Sequence, residues 1–211
     1  MPKISRTEQE VEEVRDKILE MAFKILVKNG YEGLSMAKIG AKMKMTAANL
    51  YNYYANKDEL LIAIHKKAHL MLYEKLHGAV EMANTPLNRY RNLVTAFVEF
   101  GLQNVRIYDI MFNRIVRQHS DYIGTPQEDQ SNDEFHSSLK VLFLAIQTVK
   151  EYRETRPDLP PVDPEILTLQ NFSMLHGAIS LHNNGMLSQI TDDLESTLKI
   201  IIENAICCVT G

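Results

Sequence analysis

Helical periodicity, punctuated by capping residues, governs this chain from end to end. Val11, Val14, Ile18, Ala22 and Ile25 recur at the i, i+3, i+7 spacing of one buried helical stripe. Asn29-Gly30 follows with the residues that end helices. Ser35 is placed to cap a short second helix reaching Lys42 or Met43, and Thr46 to cap a third from Ala47 to about Tyr53. Asn56 caps a fourth, with Asp58 and Glu59 in the first turn, where the helix dipole favours carboxylates. That helix is expected to bury Leu61, Ile64, Ala68, Leu72 and Ala79.

The same grammar continues. Thr85-Pro86 opens a helix carrying Leu93, Phe97 and Phe100, with proline at the first helical position. A shorter helix is expected over Tyr108 to Gln118, then a polar loop from Ser120 to Asp133, then a helix from about Glu134 that stops before Pro157. Asp163-Pro164 starts a further helix ending at Asn184-Gly185. Thr191 is expected to cap the last, whose stripe is Leu194, Leu198, Ile201, Ala205 and Cys208. No useful strand alternation and no internal repeat interrupts the pattern. The expectation is an all-α chain of about nine helices.

The stretch MTAANLYNYYANKDELL, Met45 to Leu61, is unlike the rest. Three short helices with a tight turn near Lys44-Met45 make a helix-turn-helix. Leu50 can anchor the third helix inward, while Ala47, Ala48, Asn49, Asn52 and Tyr53 point elsewhere. Small residues let a backbone approach a groove, and amide side chains read base edges. Tyrosine hydroxyls suit phosphate oxygens, and the fourth helix's N-terminus with Lys57 makes a second phosphate site. Packing alone accounts for Tyr54, whereas Tyr51 and Tyr53 are expected to face outward.

Charge agrees with that polarity. The chain carries a net −4, yet six lysines (24, 28, 38, 42, 44 and 57) face a single carboxylate, Glu32, between Lys24 and Lys57. One end is therefore suited to an anion, although a lysine-rich solvated face would give the same count. With 45% hydrophobic and 24% charged residues the chain has the makings of a real core. No run approaches the roughly 18 apolar residues of a membrane span. Residues Met1 to Val14 lack the apolar core of an export signal. The adjacent Cys207 and Cys208 imply no disulfide framework, so a reducing cytoplasm is the expected compartment.

Residues 18 to 61, ILEMAFKILVKNGYEGLSMAKIGAKMKMTAANLYNYYANKDELL, resemble the DNA-binding domain of the tetracycline-repressor (TetR) family of bacterial transcriptional regulators. The likeness lies in the NGYEG turn, the Ser-Met opening of the second helix, Ile-Gly-Ala at its centre and L-Y-x-Y-Y-x-x-K-x-x-L-L. The resemblance implies phosphate contacts from Ser35 or Met36, Tyr51 and Lys57, with Ala47, Ala48, Asn49 and Tyr53 facing the major groove. Lys44, Thr46 and Asn52 complete the expected DNA-contacting set. Lys44 departs from the family, standing where glycine is usual, and Ala48-Asn49 replaces a common Gly-Thr or Gly-Ser pair. The resemblance further implies a helix-turn-helix domain over residues 1–56. Residues 57–211 would form a helical effector-binding and dimerisation domain, and the whole a homodimer on double-stranded operator DNA. Residues 174–187, MLHGAISLHNNGML, resemble the His-Gly helix of one C-terminal subgroup.

In that layout Met71, Phe97, Phe100, Tyr108, Met111, Phe112 and Phe172 enclose a pocket for a small hydrophobic or aromatic effector, oriented by His69 and His176. These residue types equally suit a core. Leu194, Leu198, Ile201 and Ala205 carry too much apolar surface to stay exposed and are the expected dimer contact. The expected activity is a repressor released from its operator by a largely apolar ligand, not an enzyme. The rival is a helical di-iron or other metal enzyme. Glu74 and His77 make one Glu-x-x-His, Asp133 and His136 an Asp variant, and His65 and His69 an i, i+4 pair, short of the two full motifs and further carboxylates such enzymes use. The His65–His69 segment also lacks the catalytic Glu of a zinc protease. No phosphate loop and no nucleophile elbow occurs, so neither a cofactor nor a metal is expected.

Overall fold

A computed structural model describes residues 7–113 and 117–211. Among them the chain forms nine α-helices and no strand: α1 Glu8–Asn29, α2 Met36–Met43, α3 Ala47–Leu50, α4 Lys57–Glu81, α5 Pro86–Gln103, α6 Val105–Tyr108, α7 Glu128–Glu154, α8 Pro164–Asn183 and α9 Leu194–Thr210. It divides into two compact units. One comprises Met1–Ala68 with Asp109–Phe135, the other His69–Tyr108 with His136–Gly211.

In the first unit α1 packs on α2, and α2 on α3. Thr7 opens α1 with a capping box, its hydroxyl accepting from the Glu10 N–H while Glu10 returns to the Thr7 N–H. Ile18, Ala22, Phe23, Ile25 and Leu26 form the buried stripe, and Gly30 closes the helix at φ 70°. Leu34, Met36, Ile39 and Leu50 complete the core beneath α2 and α3. Gly40 is where the turn crosses α2: a Cβ there would lie 2.7 Å from the Met45 carbonyl oxygen and 3.3 Å from Leu50 Cδ1. Only glycine lets the two segments come this close.

In the second unit α5 packs on α8 and α9, and α8 on α9. Tyr90 of α5 and Asn171 of α8 both donate to the Ala205 carbonyl of α9, at 3.4 Å and 2.6 Å. Those bonds tie three helices at one buried point. Thr85 caps α5 and Asp163 caps α8, each ahead of a proline.

Several boundaries depart from the sequence expectation. Helix α3 stops at Leu50 rather than near Tyr53, because Tyr53 and Tyr54 turn inward to 7% and 2% exposure. The buried line of α4 is Leu60, Ile64, Ala68, Leu72, Leu76 and Val80, with Leu61 and Ala79 half-buried. The helix expected over Tyr108 to Gln118 is instead the end of α6 followed by a π turn at Asp109–Asn113. Positions 114–116 of that expectation lie outside the described residues. Helix α7 starts at Glu128, inside the segment read as a loop, since Ser131 turns back to bond the Glu128 carbonyl and is itself buried. Asp193, not Thr191, caps α9, accepting from the Ser196 N–H at 3.0 Å. The Thr191 hydroxyl instead bonds Thr197 at 3.1 Å and accepts from the Asp193 N–H.

Candidate nucleic-acid interface

The surface around α3 is built from caps. The Ser35 hydroxyl accepts from the Lys38 N–H at 3.3 Å, and Thr46 from the Asn49 N–H at 3.2 Å. Between them Lys44 ends α2 in the left-handed conformation, φ 56° and ψ 37°, the only positive φ outside glycine among the described residues. Where relatives of this motif place glycine, this lysine supplies the same backbone shape and adds a charge.

The third helix is held at its far end by an arginine that the sequence reading missed. Arg15 of α1 donates to the Tyr53 carbonyl, pairs with Glu59 at 3.0 Å and lies 4.4 Å over the Tyr54 ring. Glu59 accepts from the Ala55 N–H at 2.6 Å, and its own N–H donates to Asn56 Oδ1 at 2.8 Å. The start of α4 is thus capped and tied to α1 by one guanidinium. Burial, the largest influence on it, pushes the Tyr54 hydroxyl up to about 12, partly offset by Arg15. The local pair with Glu12 at 3.6 Å does not mark Arg15 as an anchor, because the Tyr53, Tyr54 and Glu59 groups that it holds lie about forty residues away.

What this frame presents outward is mixed. Lys44, Thr46, Ala47, Ala48, Tyr51 and Asn52 are exposed, Tyr51 at 48%. Ser35, Asn49 and Lys57 are half-buried, and the Lys57 ammonium stands 4.6 Å from the Tyr31 ring centroid. Asn52 Nδ2 sits 3.5 Å from Asn49 Oδ1, a long contact that leaves both amides adjustable. Met36 and Tyr53 are buried at 6% and 7%. For Met36 that leaves the main-chain N–H at the start of α2 as the polar group it can offer outward.

The residues expected around an effector fall in two groups. Phe97, Tyr108, Phe172 and His176 come together in the second unit, with ring centroids 5.5 to 6.1 Å apart. The Tyr108 hydroxyl lies 2.8 Å from His176 Nδ1. Burial raises the tyrosine's pKa and lowers the histidine's, favouring the neutral form of each. Phe100 is buried, while His69 and Met71 are half-buried in the same unit. Met111 and Phe112 belong to the first unit, half-buried in the π turn.

Of the residues expected between subunits, Leu194, Leu198 and Ile201 are half-buried within the chain. Ala205 is fully buried by its own subunit. The large apolar residues these helices expose are Ile200 of α9, at 60%, and Ile166, Leu169, Phe172 and Met174 of α8, at 49%, 59%, 36% and 37%. Among the described residues no three His, Cys, Asp or Glu side chains are grouped to hold a metal. No helix is long and apolar enough to cross a membrane among those residues.

Comparison with known proteins bears directly on this surface. Residues 18–64 match the family described as bacterial regulatory proteins, tetR family, and residues 90–205 match the tetracyclin repressor-like C-terminal domain. The chain is 23% identical over 145 residues to the nucleoid occlusion factor SlmA of Pasteurella multocida, covering 68% of this chain and 70% of that protein. It is 22% identical over 201 residues to the biofilm operon icaADBC HTH-type negative transcriptional regulator IcaR of Staphylococcus aureus, covering 90% of this chain and all of that one (100%). The solved structure of AibR in complex with isovaleryl coenzyme A and operator DNA shares the fold, at 20% identity and a TM-score of 0.58 over 83% of this chain and 96% of that one.

Proposed function

This chain belongs to the tetR family of bacterial regulatory proteins, a DNA-binding transcriptional regulator by that membership, and we propose that it is a homodimeric repressor released from its operator by a small, largely apolar ligand. The observation that carries the reading is the polar face of α3, rigidly held by caps and Arg15, beside a helix start bearing Lys57. In this reading residues 1–56 form the DNA-binding domain and 57–211 the effector-binding and dimerisation domain. Tyr51, Lys44, Lys57 and the start of α2 at Ser35-Met36 meet phosphates. Thr46, Ala47, Ala48, Asn49 and Asn52 face base edges, while Tyr53, buried at 7%, is withdrawn from that set. Two subunits would meet half-sites about 34–36 Å apart or a multiple of that.

The repressor direction draws on IcaR, named as a negative regulator. The effector draws on AibR, solved with both an acyl-coenzyme A and operator DNA. The aromatic cluster of Phe97, Tyr108, Phe172 and His176, its polar members favouring their neutral forms, suits an apolar or aromatic group better than a nucleotide or sugar phosphate. Such a protein acts beside the chromosome, in the bacterial cytoplasm, and needs no catalytic step.

The test is selection of bound genomic fragments followed by titration across salt. Lys57→Ala should lower the slope of log K against log salt by about one unit, and Tyr51→Phe should weaken all duplexes alike. Asn49→Ala should cost about 1–3 kcal/mol on the selected site and little on random duplex. Equal losses on both duplexes would remove Asn49 from base reading, and no salt-dependent binding at all would reject the function.

A further inference from the structure

An open groove of about 630 Å³ runs along the outer face of α1, wholly within the first unit. Its floor is Met21 of α1 and Met43 at the end of α2, both half-buried. Its rim is charged and exposed: Glu13, Asp16, Lys17, Glu20 and Lys24. Glu13, Lys17, Glu20 and Lys24 follow one another at intervals of four, three and four residues, so they form one seam along the helix.

Glutamate four residues ahead of lysine is also the spacing of an ion pair within a helix, and a solvated face of such pairs would need no partner. This seam is arranged otherwise. Arg15 of the same helix does pair with Glu12, at 3.6 Å, yet Glu20 turns to Lys67 of α4 instead of Lys24. Glu13, Lys17 and Lys24 make no ion pair among the described residues. The order of the charges then selects a partner. Turned end for end about the midpoint between Ile18 and Leu19, the seam sets Glu13 opposite Lys24 and Lys17 opposite Glu20. Glu20 can serve both lysines, since a carboxylate has two oxygens. A twofold axis keeps each flank of the seam on its own side, so Met21 and Met43 of both copies gather beside it as an apolar strip. Asp16 falls on the opposite flank, where its symmetry mate opposes the contact mildly.

We propose that this seam joins neighbouring dimers of the protein bound side by side on one DNA duplex, α1 against α1 of a second copy in an antiparallel twofold contact. A second copy is the occupant because the same helix, reversed, meets each charge of the seam with its opposite. Exposed ion pairs contribute little each, so the seam does not hold copies together in free solution. Two dimers on adjacent sites are tethered by the duplex, and at that effective concentration a weak contact becomes cooperative binding. The inference rests on the DNA-binding, dimeric function proposed above and adds to it a partner and a face.

Two copies of a selected operator on one duplex, moved apart a base pair at a time through a helical turn of roughly 10–10.5 bp, give the test. The readout is affinity for the two-site duplex relative to a matched duplex with one site, so any direct effect of a charge on DNA cancels. The native protein should show about tenfold cooperativity at one phase of the turn and none at the opposite phase. Glu13→Lys and Lys24→Glu, each alone, should abolish it. The two changes in one chain again set opposite charges across the twofold axis and should bring it back. All three variants are first checked for unchanged helicity and melting. Cooperativity absent at every spacing, kept by either single variant, or not restored in the double variant overturns the seam. Failure to bind the one-site duplex is instead a failure of the DNA-binding reading, visible separately because that duplex needs no second dimer.

Discussion

Lys44 shows how much a single residue can carry at this surface. A left-handed backbone costs a side-chain-bearing residue roughly 1–2 kcal/mol relative to glycine, which adopts it freely. The chain sustains that cost at a position exposed beside α3. We expect Lys44→Gly to raise unfolding free energy by up to about 1 kcal/mol, glycine's extra unfolded-state entropy cancelling part of the relief. The same change should weaken DNA binding and lower the salt slope by about one unit. Urea unfolding and salt-dependent anisotropy measure the two effects. Loss of stability with unchanged DNA binding would show that the lysine is neither strained nor at the interface. The sequence flagged this position, as a lysine where glycine is usual. Only the dihedral angles showed that the backbone had kept glycine's shape.

At the scale of elements, the junction between α1, the end of α3 and the start of α4 is one device made of Arg15, Tyr53, Tyr54 and Glu59. Its chemistry predicts an alkaline limit. Tyr54 has its folded pKa raised to about 12 from 10.0, so neutral tyrosine is what the fold favours. That stability is complete below pH 10 and is lost as pH rises through about 12, because the unfolded chain gives up the proton more readily. Chemical denaturation between pH 10 and 12 should show unfolding free energy falling with pH, and Tyr54→Phe should flatten the fall. An identical slope in the variant would place the alkaline sensitivity elsewhere. Sequence periodicity anticipated α1, α2, α5 and α8, whose caps and stripes are local. It misjudged the end of α3 and the start of α7, where burial of Tyr53 and of Ser131 outweighs local polarity.

For the whole molecule, the question is which surface meets a second copy. Ile200, Ile166 and Leu169 are the most exposed of the large apolar side chains on α8 and α9, whereas Ala205 is spent within the subunit. A twofold contact through α8 and α9 would cover them. Ile200→Glu should therefore yield a folded monomer by sedimentation, with operator affinity strongly reduced because each head then binds alone. A dimer that survives this substitution would move the interface off this face. The expected stripe of Leu194, Leu198 and Ile201 is half-buried within the subunit, and Ile200 beside it is exposed. A helix with apolar residues at successive positions does not reveal which of them its own subunit claims.

The sequence by itself determined the helical class, the caps of most helices and the segregation of lysine to one end. Each of these depends on neighbours within about one helical turn, or on a composition any fold would inherit. The tertiary structure alone decided that Arg15 anchors the third helix and that Tyr53 faces inward. It also decided that Tyr108 pairs with His176. Those outcomes join residues tens of positions apart, and burial, which decides which polar group keeps a partner and which apolar group stays exposed, is a property of the packed chain.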